Sequence, residues 1–321
     1  MPRSSQTASV VSVIIATRNY ASYLPEAVGS LTAQTFTRWD CVIVDDGSTD
    51  DTDRVAAELA AGDPRVRYLA QPARGVSAAR NTGLRASKGR FVQFLDADDW
   101  LAPGKLEHQA RSLTANPDID VIYGSERPVL GNAHSPAPLL QEPRPSGSGD
   151  ELVSELLASN PMVMSAPLFR RSVLDRVQGF DETLTLNEDW DLLLRIALSG
   201  ARFRFDPAIA SLAYVRLHPG SASANRLRMI EGVIELHHRM EPKLSNPAHH
   251  LISERLIADM TGAAGTLRVR DGDVKRGLGE ILQAARSRPR PKWFAALAFE
   301  PLRLLVSTAA RTVRARRTHG R

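Results

Sequence analysis

The chain has 321 residues, 43% hydrophobic and 24% charged, with a formal net charge of +5; this predicts one full α/β domain with smaller additions and excludes global disorder. A single cysteine, Cys41, excludes an internal disulfide and a thiolate metal site. From Arg286 onward the charge is a local +9, against −4 for the preceding 285 residues, which argues against nucleic acid as a partner and points the basic tail toward an anionic membrane.

The N-terminus, MPRSSQTASV, lacks the basic start and long apolar core of a secretory signal, and no run reaches the ~18 apolar residues of a spanning helix. The expectation is a cytoplasmic protein whose contact with the inner face of the plasma membrane is peripheral.

Four short apolar runs, at residues 10–16, 41–44, 66–69 and 91–95, have strand length and are rich in Val, Ile or Phe. Helical spacing fills the gaps, as in Leu24, Ala27, Val28 and Leu31, then Val55, Ala56, Leu59 and Ala60, then Ala78, Ala79 and Leu84. Strands apolar on both faces alternating with helices predict a mostly parallel sheet covered on both sides, with ligands beyond the carboxyl ends of the strands. The loops at 17–20, 45–51, 71–75 and 96–99 are therefore the ones to carry chemistry. A helix is predicted over 103–115, begun by Pro103, and a strand over 120–123. Residues 131–149 are rich in Pro and Gly and read as a mobile loop. Helices follow at 150–158, 170–177 and 190–199, and the chain beyond about Asn225 reads as helical throughout.

Two acidic clusters follow strands directly: Asp45, Asp46 and Asp50 after the second, and Asp96, Asp98 and Asp99 after the fourth. Like charges this close repel unless a cation or hydrogen-bond donors are shared among them. A hard divalent cation with oxygen ligands suits them, and a nucleotide diphosphate would bring phosphates to it. Helix capping by Ser48, Thr49 or Asp50 accounts for part of the first cluster.

The blocks VSVIIATRNY, VIVDDGSTDDT, RGVSAARNTGL and FVQFLDADDW, followed by GFDETLTLNEDWDLLLRIALSG, resemble in order and spacing those of the family 2 glycosyltransferases, inverting enzymes of GT-A fold. The resemblance implies a Rossmann-like sheet with helices on both faces, a C-terminal helical extension and transfer of a sugar from a nucleotide diphosphate donor, UDP-linked by preference. It implies that Asp46 accepts from the base, that Ala16 and Arg18 lie in the loop holding base and ribose, and that Arg80 and Asn81 lie near base or diphosphate. Asp96 would contact the ribose, and Asp98 the metal, Mn2+ or Mg2+. The family often has Tyr where this chain has Arg18, whose guanidinium can also stack on a base.

In the later block the resemblance makes Asp189 the general base, with Glu188 or Asp191 as alternates; acids at a helix start are also favoured by its dipole alone. The segment YVRLHPGSAS resembles one whose histidine, here His218, approaches the diphosphate or its metal, with Arg216 as a phosphate contact. Residues 1–125 would then bind the nucleotide sugar, 126–225 the acceptor, and 226–321 form a helical region ending in the basic tail. Acceptors left open are a glycan, a lipid-linked oligosaccharide and a small molecule. Two other readings compete. A sugar nucleotidyltransferase would need a Gly-rich basic loop after the first strand, which ATRNYASYLP lacks; a non-catalytic nucleotide-sugar-binding protein would not need Asp98, Asp189 and His218 together.

Overall fold

A computed structural model describes residues 10–130, 144–218 and 225–297. It falls into two compact units, residues 1–221 and 222–321. In the first, β1 (Val11–Thr17), β2 (Trp39–Asp46), β3 (Val66–Gln71) and β4 (Phe91–Phe94) alternate with α1 (Leu24–Thr32), α2 (Thr52–Gly62) and α3 (Val76–Ala86). The run continues with β5 (Trp100–Leu101), α4 (Lys105–Ala115), β6 (Val121–Tyr123), β7 (Glu126–Leu130), α5 (Gly149–Ala158) and β8 (Pro167–Arg170). After these come α6 (Arg171–Arg176), α7 (Glu188–Leu198), β9 (Phe203–Phe205) and β10 (Ala213–Leu217).

The main sheet has the order β3-β2-β1-β4-β8-β6-β9. Val11, Val13, Ile14 and Ile15 of β1 are fully buried, as a central strand covered on both faces requires. Parallel pairing of β1 with β2 sets Thr17 opposite Asp45, and pairing with β4 sets Ile14 opposite Phe94, so the loops after these strands share one edge. α3 packs hard on β1: a Cβ on Gly83 would meet Ile14 Cγ2 at 2.4 Å.

The expectation of a mostly parallel sheet holds, with one exception. β8 runs antiparallel to both β4 and β6, between which it lies. Its residues PLFR are all buried, and Pro167 occupies the first position, where the missing N–H costs least. A second sheet, β5-β10-β7, is made of short strands, with β10 antiparallel to β5 and parallel to β7.

The second unit contains α8 (Arg226–Met240), α9 (Pro247–Asp271) and α10 (Val274–Ser287), with residues 291–297 also helical. α9 meets α10 where Gly265 faces the Gly277 carbonyl, a Cβ being 2.6 Å from it. Arg268 ties both neighbours by ion pairs to Glu231 and Glu280.

The basic region from Arg286 onward begins within this unit. Trp293 is buried, over Gly262 and with Val269 and Ile281 in the same core. Arg288, Arg290 and Lys292 converge on Asp259 at 2.8, 3.1 and 3.3 Å, so these cations already have a carboxylate. Residues 298–321, like most of the loop 131–149, lie outside the described residues. Among the described residues no helix is long and apolar enough to cross a membrane.

Candidate active site

The loops after β1, β2, β3 and β4 knit together through their own polar groups. Asp45 accepts from Ser48 N and Oγ at 2.9 and 2.6 Å and from Tyr68 Oη at 3.2 Å. Asp46 accepts from Gln71 Nε2 and the backbone N–H groups of Arg74 and Gly75 at 2.7–2.8 Å. It therefore fixes the β3–α3 turn, and retains lone pairs for a further donor. Gly47, at φ +72°, makes the turn between these acids and Asp50; a Cβ there would lie 2.9 Å from Ala73 N. Asn19, also at positive φ, receives Thr49 N and donates its backbone N–H to Ser48. Of Ser48, Thr49 and Asp50, the three residues expected at the start of α2, Asp50 is the one that bonds it, accepting from Thr52 N at 3.0 Å. Ala16, next to last in β1, is half-buried, and Arg18 is exposed in the next loop.

After β4 three carboxylates crowd together. Asp98 is pushed above the ordinary carboxylate range by burial and by the charge of Asp96, and Asp99 further, by burial and by both neighbours. Asp99 is held by Ser165 Oγ at 2.7 Å and by Arg216 N at 3.1 Å. Asp98 faces His218, Oδ2 to Nε2 3.0 Å. His218 is stacked on Tyr23 at 5.2 Å between centroids and edge-on to Tyr20 at 6.0 Å. Tyr20 is pushed up to about 12 by burial and by the charges of Asp98 and Asp96.

Asp98 and His218 could hold a divalent cation. Among the described residues no group of three or more His, Cys, Asp or Glu completes a cage. Two protein donors beside an overcrowded acidic loop fit a metal that takes its remaining ligands from substrate phosphates and water. A cavity of about 430 Å³, lined by residues including Asn81, Arg85, Arg171 and Gln178, includes none of these acids and lies apart from this chemistry.

Arg80 joins the loop after β4 to the start of α7. It is 6% exposed, with Nη2 2.7 Å from Asp96 and Nη1 2.8 Å from Glu188. Expected near base or diphosphate, the Arg80 guanidinium here binds two protein carboxylates. Asn81, expected there too, has its side chain engaged by the protein. Both its amide hydrogens go to Phe180 O and Glu182, its oxygen accepts from Phe180 N, and it is buried; it pins the loop before α7. Arg216 is likewise buried, its Nε on the Asp98 carbonyl at 3.2 Å and its Nη2 on Glu26, and it braces the loop from behind.

Asp189 stands beside Glu188 in the first turn of α7. Removal from water and the charge of Glu188 raise it to about 7, against the pull of Arg80. Its Oδ1 accepts from Trp190 N at 2.7 Å and its Oδ2 from Asn160 Nδ2 at 3.2 Å. Asn187, which precedes the helix, is left-handed at φ 55°, a strained conformation of the kind that clusters at functional sites. Asp191, one of the two alternates, is 1% exposed and paired with Arg195 at 2.6 Å.

A profile described as glycosyl transferase family 2 matches residues 12–177. The chain belongs to this family. It is 29% identical over 197 residues to the chondroitin synthase of Escherichia coli, covering 60% of this chain and 27% of that protein. It is 31% identical over 227 residues to an uncharacterized glycosyltransferase of Rickettsia prowazekii, covering 69% and 68%. Among solved structures, Staphylococcus aureus TarS 1–349 with UDP-GlcNAc superposes with a TM-score of 0.64 at 19% identity, over 92% of this chain and 88% of that one. The mannosyltransferase PcManGT of Pyrobaculum calidifontis, with GDP-Man and Mn2+, gives 0.60 at 20%, over 96% and 88%. At such identities these two structures establish the GT-A fold.

Sequence reasoning missed Asn160 and Ser165. They are single polar residues in the stretch NPMVMSAPLF, where no period or spacing marks them.

Proposed function

We propose that the protein is an inverting transferase that moves a sugar from a nucleotide diphosphate donor, UDP-linked by preference, to an acceptor hydroxyl in the synthesis of a cell-surface glycan. One observation carries this reading: the Arg80 guanidinium binds Asp96 on the donor loop and Glu188 on α7 at once. This brings Asp189 to the same strand edge as Asp98 and His218. Relatives that include a chondroitin synthase, and fold neighbours that hold UDP-GlcNAc or GDP-Man, support the donor class.

In this reading the base packs near Arg18 and Asp46, and Asp96 contacts the ribose. Asp98 and His218 would hold Mn2+ or Mg2+, which when bound supplies positive charge at the diphosphate leaving group. Asp189 takes the proton of the acceptor hydroxyl as its oxygen forms a bond to the anomeric carbon and the bond to the diphosphate breaks on the opposite face. Direct displacement inverts the anomeric centre and needs one base. A carboxyl titrating near neutrality is a stronger base than an ordinary one and is still ionised for half or more of the time above pH 7. The acceptor would enter beside Asn160 and α7.

Calorimetry of the full chain with UDP-, GDP- and dTDP-sugars, each with and without Mn2+, tests the proposal. The expected result is metal-dependent binding of a UDP-sugar. A chain that binds no nucleotide sugar under either condition would overturn it.

A further inference from the structure

Residues 159–166 connect α5 to β8 without helix or strand, yet the segment is tied to the site at both ends. At one end Asn160 donates from Nδ2 to Asp189 Oδ2 at 3.2 Å, while its Oδ1 accepts from Met162 N at 3.3 Å. The second bond turns the amide oxygen toward its own chain, so the nitrogen faces the carboxylate. At the other end Ser165 Oγ accepts from Asp96 N at 3.2 Å and donates to Asp99 at 2.7 Å. Met162 and Met164, between them, are buried, which holds the segment by packing.

We propose that Asn160 is a positioning residue for the general base, orienting the Asp189 carboxylate and favouring its ionised form through the bond to Oδ2. The proposal rests on the reading of Asp189 as that base. With Oδ1 held by the Trp190 N–H and Oδ2 by Asn160, both oxygens are fixed and each keeps a lone pair for the acceptor proton. The charged groups facing Asp189 are Glu188 on α7 and Asp96 after β4, which oppose its ionisation, and Arg80 on α3, which favours it. Asn160 adds a neutral donor from a fourth direction. Since the same segment grips Asp96 and Asp99 through Ser165, it also sets how far the base stands from the donor loop.

The test is a carbon-13 carboxyl titration of the full chain labelled at aspartate, with the Asp189 signal assigned by its loss in Asp189→Asn. In the unaltered protein that signal should titrate near pH 7. Asn160→Ala should move it up by about one pH unit, the scale of losing one hydrogen bond to a charged group. Asn160→Asp, of the same shape but with a negative charge in place of the donor, should move it further and keeps the test open if the alanine variant does not fold. A midpoint in Asn160→Ala equal to the unaltered one, or no upward move in Asn160→Asp when only that variant folds, overturns the proposal. Failure of the base reading is seen separately, as an Asp189→Asn protein that transfers sugar at the unaltered rate.

Discussion

Two acidic clusters face one another across the site, and they are neutralised in different ways. After β4, Asp99 is met by the Arg216 N–H and a serine hydroxyl and Asp98 by one imidazole, and of the three only Asp96 is bound by Arg80. At the start of α7, Glu188 has Arg80 to itself on Nη1, and Asp189 is left with neutral donors. The first cluster keeps an excess of negative charge beside His218, which suits a cation brought with phosphate. The second isolates a single carboxylate whose proton affinity is raised, which suits a base. Two groups of the same residue type thus acquire different chemistry from where one arginine is placed.

The largest test of this contrast is Asp189→Asn. Turnover should fall by about 10²-fold or more while Mn2+-dependent UDP affinity is kept, because a base is lost and the donor side is untouched. Binding that fell with turnover would show that the two clusters are not separable. The converse change is Asp98→Asn, which should weaken metal-dependent UDP binding by roughly tenfold or more, since an amide is a poor ligand for a hard cation. Equal UDP affinity with and without Mn2+ in the unaltered protein would remove the metal from Asp98 and His218.

The pH dependence sharpens the contrast further. As the proposed base Asp189 must be ionised to accept a proton, so turnover should rise with pH through about 7 and then level off. Stability moves the other way. A carboxyl whose folded pKa is raised binds its proton more tightly in the folded state, so its contribution is present below the unfolded value and is lost as pH rises through the folded one. Asp189→Asn should therefore be more resistant to heat than the unaltered protein above pH 7, and the difference should vanish near pH 4. Parallel melting curves across that range would contradict the raised proton affinity.

How much of this could be read from the sequence follows from distance along the chain. The strands β1 to β4 and the acids behind them are local signals, each apolar run ending in its own loop, and they lie at one strand edge as the parallel pattern requires. β5 and β7 to β10 have two to five residues each, too few for a period to show, and β8 begins with proline. The pairs that define the site are the least legible. Arg80 and Glu188 are 108 positions apart and Asp98 and His218 are 120 apart, so no local pattern records them; only the family resemblance made Asp189 and His218 candidates. Arg80 and Asn81 were placed near base or diphosphate by the family resemblance alone. The fold uses their polar groups to hold the loop at 180–182 and the α7 start.

The smallest effect concerns what lies behind the donor-side cluster. Lys105 is fully buried, and its Nζ donates to Gln93 Oε1 at 2.6 Å and Gln109 Oε1 at 2.9 Å. Gln93 in turn donates to the Ser165 carbonyl at 3.1 Å, so a chain of bonds runs from this amine to the segment that grips Asp96 and Asp99. Burial lowers Lys105 to about 7, against the attraction of Asp206. Its unfolded value is about 10.4. Between these two pH values the unfolded chain carries the proton and the folded chain does not, so stability falls as pH falls from about 10 to 7 and is level below that. Lys105→Met removes this dependence while leaving Gln93 and Gln109 short of a donor at every pH. The variant should thus gain on the unaltered protein by up to a few kcal/mol as pH falls from 10 to 7, on top of a constant offset, and the gain should stop near 7. Denaturant melts of both proteins at pH 6, 7, 8.5 and 10 measure it. Curves that stay a fixed distance apart would mean that Lys105 keeps its charge in the core, and that the donor-side cluster has a buried cation behind it as the base has Arg80 beside it.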